Sequence, residues 1–200
     1  MTLRRTLLIV GLAATLSGCT VLANQEPLPL AEEQVTARWD GVPGADEWTE
    51  ATLNALDGHG AALVETVPAD IETYCPAYTE ADDSRRKAFW VNMLSALAKH
   101  ESTYSQTASG GGGKWHGLLQ IAPATARGYG CEATTAAALK DGTKNLSCAV
   151  RIMAVTVPRD GVISQGMRGI AADWGPFHQA RKRSDMQAWT RSQPFCQGPA

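Results

Sequence analysis

The sequence predicts a compact, mostly α domain of seven or eight helices, with a glycine-rich loop near its middle. Three observations predict it. Apolar residues recur at steps of three and four through most of the chain after residue 45. Alanine and glycine are abundant and β-branched runs are few, a balance that favours helices. No alternating strand pattern and no internal repeat is evident. The 200 residues suit one domain behind a targeting segment, enough to bury a core without metal or many disulfides.

Residues 1–18 read as a signal peptide rather than as part of the fold. Arg4 and Arg5 form a basic start, and Leu7 to Leu16 an apolar run too short to span a bilayer. Leu16-Ser17-Gly18-Cys19 then matches the bacterial lipobox, in which the cysteine is lipidated and becomes the first residue of the mature chain. The alternative is an ordinary secretory signal with an incidental cysteine. Thr20 follows, not aspartate, which by resemblance to known sorting signals places the protein in the cell envelope, at an outer membrane and facing the periplasm. Residues 19–44 hold Pro27, Pro29, Pro43 and several acids with no periodic apolar face, and read as a tether; Trp39 is the exception that would dock on the domain.

The folded domain is expected over 45–200. Trp48, Thr52, Ala55 and Leu56 have helical spacing, ended by Gly58 and Gly60. Ala61 to Val67 is another turn or two, stopped by Pro68, and Asp70 to Tyr74 a short piece broken by Cys75-Pro76. Asp82 and Asp83 offer an N-terminal cap to a helix running to Glu101. Trp90, Leu94, Leu97 and Glu101 share a face of it, so an acid ends an apolar stripe. After the glycine run of Gly110 to Gly113, Pro123 opens a short helix. Further helices are predicted over Thr134–Lys140, Thr143–Val157 (ending at Pro158), Gly166–Asp173 and Asp185–Arg191.

The chain carries 18 basic and 20 acidic residues; without its first 18 positions, which hold two arginines and no acid, sixteen basic residues face twenty acidic ones, for a balance of −4. Nothing in that argues for nucleic acid as a partner. Six tryptophans exceed what core filling needs, and flat amphipathic rings suit sugar faces. With Cys19 assigned to the lipobox, Cys75, Cys131, Cys148 and Cys196 form an even set in an exported chain, with three possible pairings. Cys131 with Cys148 ties the end of one short helix to the first turns of the next and would contribute about 3 kcal/mol by loop closure. Cys75 with Cys196 would pin the C-terminal tail. No cysteines stand two or four apart, so the set does not read as a zinc site and no metal is expected.

Three catalytic motifs almost form and fail. His100-Glu101-Ser102-Thr103-Tyr104 has tyrosine where a zinc protease needs its second histidine. Gly113-Lys114 is followed by Trp115, where a phosphate loop needs serine or threonine. Ser102 and His100 point apart on a helix and are no serine-hydrolase pair. What remains is one carboxylic acid, Glu101, among apolar side chains. Burial raises a carboxyl's pKa, and an acid kept protonated near neutrality can protonate a glycosidic oxygen. The plain alternative is a helix-end acid in solvent.

Glu101-Ser102-Thr103-Tyr104 and Gly117-Leu118-Leu119-Gln120-Ile121, in this order, resemble two signatures of the lytic transglycosylases of the goose-type lysozyme superfamily: Glu-Ser with an aromatic two positions on, and Gly-Leu-Met-Gln-Ile. The resemblance covers about Lys87 to Phe177. It implies a lysozyme-like helical domain with the glycine-rich loop in its cleft, peptidoglycan glycan strands as substrate, a membrane reached only through the lipid on Cys19, and no cofactor. It implies that Glu101 alone protonates the bond between N-acetylmuramic acid and N-acetylglucosamine and then takes the C6 hydroxyl proton, closing a 1,6-anhydro ring. Ser102 would orient the acid or substrate. Tyr104 and Gln120 would line the sugar groove, and Gly117 would allow close backbone approach; the plain alternative for Gln120 is a buried amide bonded to backbone. Asn145, in Lys144-Asn145-Leu146, matches an asparagine of the family. The family's third motif, Ala-Tyr-Asn, is replaced by Ala171-Ala172-Asp173-Trp174. Trp174 would stand in for the tyrosine as groove wall, and Asp173 would be a second carboxylate that leaves hydrolysis open; a packing tryptophan and a solvated aspartate are the plain alternatives. Two competing functions follow: a muramidase that uses water, and a non-catalytic murein-binding lipoprotein.

Overall fold

The computed structural model describes residues 35–197; the signal peptide, Cys19 and most of the expected tether lie outside them. Its centre is helix α3 (Asp83–Glu101), in which every residue from Ala88 to Ala98 is buried. The expected one-sided stripe is therefore a helix buried all round, as a core helix must be. Asp82 caps it as predicted, its carboxylate accepting from Arg85 N at 2.9 Å. Around α3 pack α1 (Ala45–Asp57), α2 (Ala61–Glu65), α6 (Ala180–Arg191) and α7 (Pro194–Gln197). Helix α5 (Gly142–Asp160) lies against α1 and α2. A short α4 (Pro123–Gly128) begins at its proline, as expected.

Burying α3 on all sides also buries its polar residues, and these are used. The Asn92 amide donates to Thr36 O at 2.9 Å, and Ser95 Oγ accepts from Arg38 N at 2.8 Å while donating to Asn92 O. Those bonds fasten the segment from Val35 onward to the domain. Trp39 is fully buried, edge-on to Trp48 at 5.9 Å, with its indole N–H on Thr49. Residues 35–44, expected as the end of the tether, thus belong to the domain, and the docking expected of Trp39 alone extends to its neighbours. A second aromatic group, Tyr78, Phe89 and Trp90, packs in edge contacts of 4.9–6.3 Å. Trp90 Nε1 donates to Tyr78 Oη at 2.9 Å, and burial pushes that phenol up to about 12.

Four local expectations are corrected. Thr134–Lys140 is helical only in a 3₁₀ turn at Ala138–Lys140, because Leu139 is its sole buried large apolar residue and Thr135 Oγ1 caps that turn at Ala138 N. Helix α5 runs past Pro158 to Asp160: the exposed ring forfeits one N–H in the last turn, and Gly161, at φ +68, closes the helix by donating to Val157 O. Gly166–Asp173 is two 3₁₀ pieces, Gln165–Met167 and Gly169–Ala172, broken by positive φ at Gly166 and Met167. A strand pair does exist, though of minimal length: β1 (Ser109–Gly110) pairs antiparallel with β2 (Trp115–His116). Both disulfides are formed as expected, Cys131–Cys148 and Cys75–Cys196, with Cα separations of 5.2 and 4.5 Å.

Candidate active site

Glu101 is the last residue of α3, and the chain turns hard beyond it. Thr103 and Tyr104 both adopt left-handed backbone, at φ +52 and +64, a conformation rare for a β-branched residue and one that clusters at functional sites. Among the described residues no group hydrogen-bonds the Glu101 carboxyl. Burial pushes its pKa up to about 7, opposed only by the charge of Lys182 on α6. An acid with that pKa exchanges its proton near neutrality, which a surface glutamate does not.

The residue before it, His100, is bonded to a second carboxylate, Asp185, that is wholly committed. Asp185 accepts both ends of the Arg38 guanidinium, at 2.6 and 3.0 Å, and its Oδ2 lies 2.7 Å from His100 Nε2. Arg38 first, and His100 after it, hold Asp185 well below the usual carboxylate range. Asp185 is therefore a fixed anion, not a proton carrier. It also accounts for His100, the lone histidine of the failed zinc motif, whose pKa burial lowers against the pull of Asp185.

The segment leaving Glu101 is tied down twice, by Gln106 Oε1 accepting from Gly142 N at 2.9 Å and by Ala108 O accepting from Gly117 N at 3.0 Å. Next comes a tight loop closed by reciprocal bonds of 3.0 Å between His116 and Ile121. Gly117, Leu118, Leu119 and Gln120 fill it. Gln120 has φ +47 and folds its Nε2 back onto Gly117 O at 2.8 Å. Its Oε1 reaches over Gly110, where any Cβ would collide with it, and has no hydrogen-bond partner among the described residues. The amide thus half satisfies each reading: one end serves the backbone, and the other remains an acceptor for a ligand.

Three residues expected to meet sugar instead build this loop. Asn145 is fully buried; its Nδ2 donates to His116 O (3.0 Å) and Leu139 O (2.9 Å), and its Oδ1 accepts from Leu119 N (2.9 Å). All of its bonding capacity toward this loop goes to backbone, so it positions rather than binds. Gly117, at φ +81, does permit a close approach, but that of Asn145 Nδ2 and Leu139 O, both of which a Cβ would strike. Trp174 is 4 % exposed and donates its indole N–H to Leu119 O, so it is a strut and not a groove wall. Ser102 turns its hydroxyl back to Ala98 O at 3.3 Å, and no hydrogen bond joins it to Glu101. Tyr104 is half-buried on the side of Arg38 and Asp185, which raises its phenol through burial first.

Asp173 is exposed, 3.5 Å from Tyr129 Oη, and feels Arg159 and Asp160; burial raises its pKa and Arg159 lowers it. The charge that acts on Glu101 is instead that of Lys182, so the two acids answer to different groups. Two residues were absent from the sequence-based site. Lys182 lies 81 positions beyond Glu101, with no local signal to join them. Trp115 stood out only as the wrong residue for a phosphate loop.

Residues 80–161 match the family described as the transglycosylase SLT domain. No curated protein matches the chain. Among solved structures, the wild-type form 2 of Bd0314 DslA is 28 % identical, with a TM-score of 0.74 over 84 % of this chain and 100 % of that one. Two variants of that same protein, each with a glutamate replaced by glutamine, are similar as well. One is 29 % identical, with a TM-score of 0.75 and the same coverage. The other is 28 % identical, with a TM-score of 0.72 over 80 % of this chain and 97 % of that one.

Proposed function

We infer that this chain, a lysozyme-like lytic transglycosylase acting on peptidoglycan, cleaves the bond between N-acetylmuramic acid and N-acetylglucosamine with Glu101 as its sole proton-transfer group, and leaves 1,6-anhydro ends. The observation that carries this reading is the state of Glu101: a carboxyl unbonded among the described residues and raised by burial to about 7, while Asp185, bonded to the neighbouring His100, is locked to Arg38 as well. Protonated, Glu101 gives its proton to the glycosidic oxygen as the bond to C1 breaks. The substrate's own acetamido oxygen stabilises C1, which removes the need for the second carboxylate that most glycosidases employ. The Glu101 carboxylate then takes the C6 hydroxyl proton as O6 closes on C1. The acid is restored and no water is consumed.

The test is the mass of muropeptides released from murein by the soluble domain. Anhydro ends, lighter by one water than hydrolytic ends, are expected. Glu101→Gln should lose at least the roughly 10²–10⁴-fold typical of a missing general acid–base while still binding glycan. Asp173→Asn should retain turnover. Reducing ends that vanish in Asp173→Asn would replace this reading with hydrolysis, and murein binding without any cutting would replace it with a non-catalytic role.

We also propose that a lipid on Cys19 holds the enzyme at the outer membrane, facing the periplasm, where murein is within reach. Diacylation or more makes such anchoring stable where one chain would not. Cys19→Ser should move the protein to the soluble fraction or stall its processing; unchanged membrane partition would sink the proposal.

A further inference from the structure

Of the six tryptophans, Trp39, Trp48, Trp90 and Trp174 are buried and Trp189 is partly buried, whereas Trp115 is 44 % exposed. It is the first residue of β2, and its backbone is fixed by pairing with Gly110. Its ring is held as well. The six-membered edge of the indole crosses Gly111 so closely that a Cβ there would collide with Cζ3 and Cε3. The same ring approaches the space above Gly110, which Gln120 Oε1 also enters. The glycine run is therefore not a slack linker: two of its members are bare so that Trp115 and Gln120 can lie over the backbone next to each other. The Lys114 ammonium sits over the indole at 5.8 Å from the ring centroid. The 44 % exposure of the ring leaves part of it open to solvent, and the C–H groups of a pyranose could displace the mobile ammonium, since they carry the same partial positive charge toward a π-face.

We propose that Trp115 is the stacking platform of a sugar subsite on the glycine ribbon, where it takes the apolar face of an N-acetylhexosamine ring of the glycan strand while Gln120 Oε1 accepts a hydrogen bond from the same strand. The proposal rests on the reading of the protein as a glycan-strand enzyme. An indole laid against glycine is rigid, so it offers a large flat surface at little entropic loss, and a contact made equally to substrate and transition state lowers KM without changing kcat.

The experiment uses Trp115→Ala, Trp115→Phe and wild type on soluble murein glycan, with N-acetylglucosamine tetramer as binding probe in the Glu101→Gln background. Trp115→Ala should raise KM about tenfold with kcat within about twofold, and Trp115→Phe should recover part of the loss. Gly111→Ala, which keeps the indole but denies it its seat, should reproduce the KM defect. The tetramer should shield indole fluorescence from acrylamide, and that protection should be absent in Trp115→Phe. Circular dichroism and unfolding midpoints identify any variant that fails to fold, and Trp115→Phe is the control that assigns the protection to one of the six indoles. Tetramer binding that leaves Trp115 open to acrylamide, or an unchanged KM in a folded Trp115→Ala, overturns the platform and leaves the role of Glu101 standing. Wild type that neither binds the tetramer nor cuts murein overturns both.

Discussion

Trp174 Nε1 donates to the carbonyl of Leu119 at 2.9 Å, joining residues 55 positions apart. The amide of that same Leu119 donates to Asn145 Oδ1, also at 2.9 Å. One buried peptide unit on each side of Leu119 is thus held from a different part of the chain, and the loop that presents Gln120 has little freedom left. Trp174, expected from the sequence as a groove wall, acquires another physical meaning from this: its indole supports the loop that carries Leu119.

Asn145→Ala should be the most damaging single change near the loop. It leaves Leu119 N and Leu139 O buried and unpaired, while His116 O keeps only its bond from Ile121 N. At about 1–3 kcal/mol for each of the two orphaned groups, the expected loss is roughly 2–5 kcal/mol, since adjacent groups relax together. Trp174→Phe removes one bond and should cost about 1–2 kcal/mol. Urea unfolding checks both, and a double variant should show less than the sum, because both residues hold Leu119. Asn145→Ala with an unchanged midpoint would mean that the asparagine does not support the loop.

Much of this was legible in the sequence where the controlling interactions are local. The Asp82 cap, the run of α3 to Glu101 and the proline start of α4 each depend on residues within a turn or two. The two signature segments were readable for the same reason. The roles of Gly117 and Asn145 were not, because a family match says where a residue stands and not which way it faces: Asn145 finds its partners 6, 26 and 29 positions back along the chain. Prolines misled twice. Pro158 suggested a stop where solvent exposure made the lost bond tolerable, and Pro43 coloured a segment whose anchors, Arg38 N and Trp39, bind to α3 and α1. Lys182 and Asp185 reach the site from α6, and no spacing rule connects them to Glu101.

Lys182→Met should move the pH dependence of turnover. Glu101 must be protonated to act, so activity is expected to fall on a basic limb as pH rises through about 7. The Lys182 charge favours the carboxylate and lowers that pKa. Removing it should shift the limb to higher pH, and about 1 M salt should shift the wild-type limb the same way by screening the same interaction. Rate profiles of kcat/KM across pH 5 to 9 decide it. A limb that does not move in Lys182→Met would place the relevant charge elsewhere.

The same acid should make the fold less stable as pH rises. Its pKa is about 7 in the folded protein against an ordinary 4.5 for the unfolded chain. Below the lower value both states are protonated and burial exacts nothing. Between the two, the folded protein holds a proton that the unfolded chain has released, so stability declines with pH until the folded carboxyl ionises. Above about pH 7 the whole shift counts against folding, on the order of 2–3 kcal/mol for a group that keeps some solvent contact. Glu101→Gln carries no such charge. Any cost of burying its amide is the same at every pH, so the informative quantity is how the difference between variant and wild type changes with pH. That difference should favour the variant by about 4–8 °C more in melting temperature at pH 8 than at pH 4. Asp185, whose pKa is lowered, changes stability only in acid and does so equally in both proteins. Thermal melts of the soluble domain at the two pH values make the comparison, and a variant-minus-wild-type difference that stays constant between them would show that Glu101 pays no burial penalty and is not the raised acid that the mechanism requires.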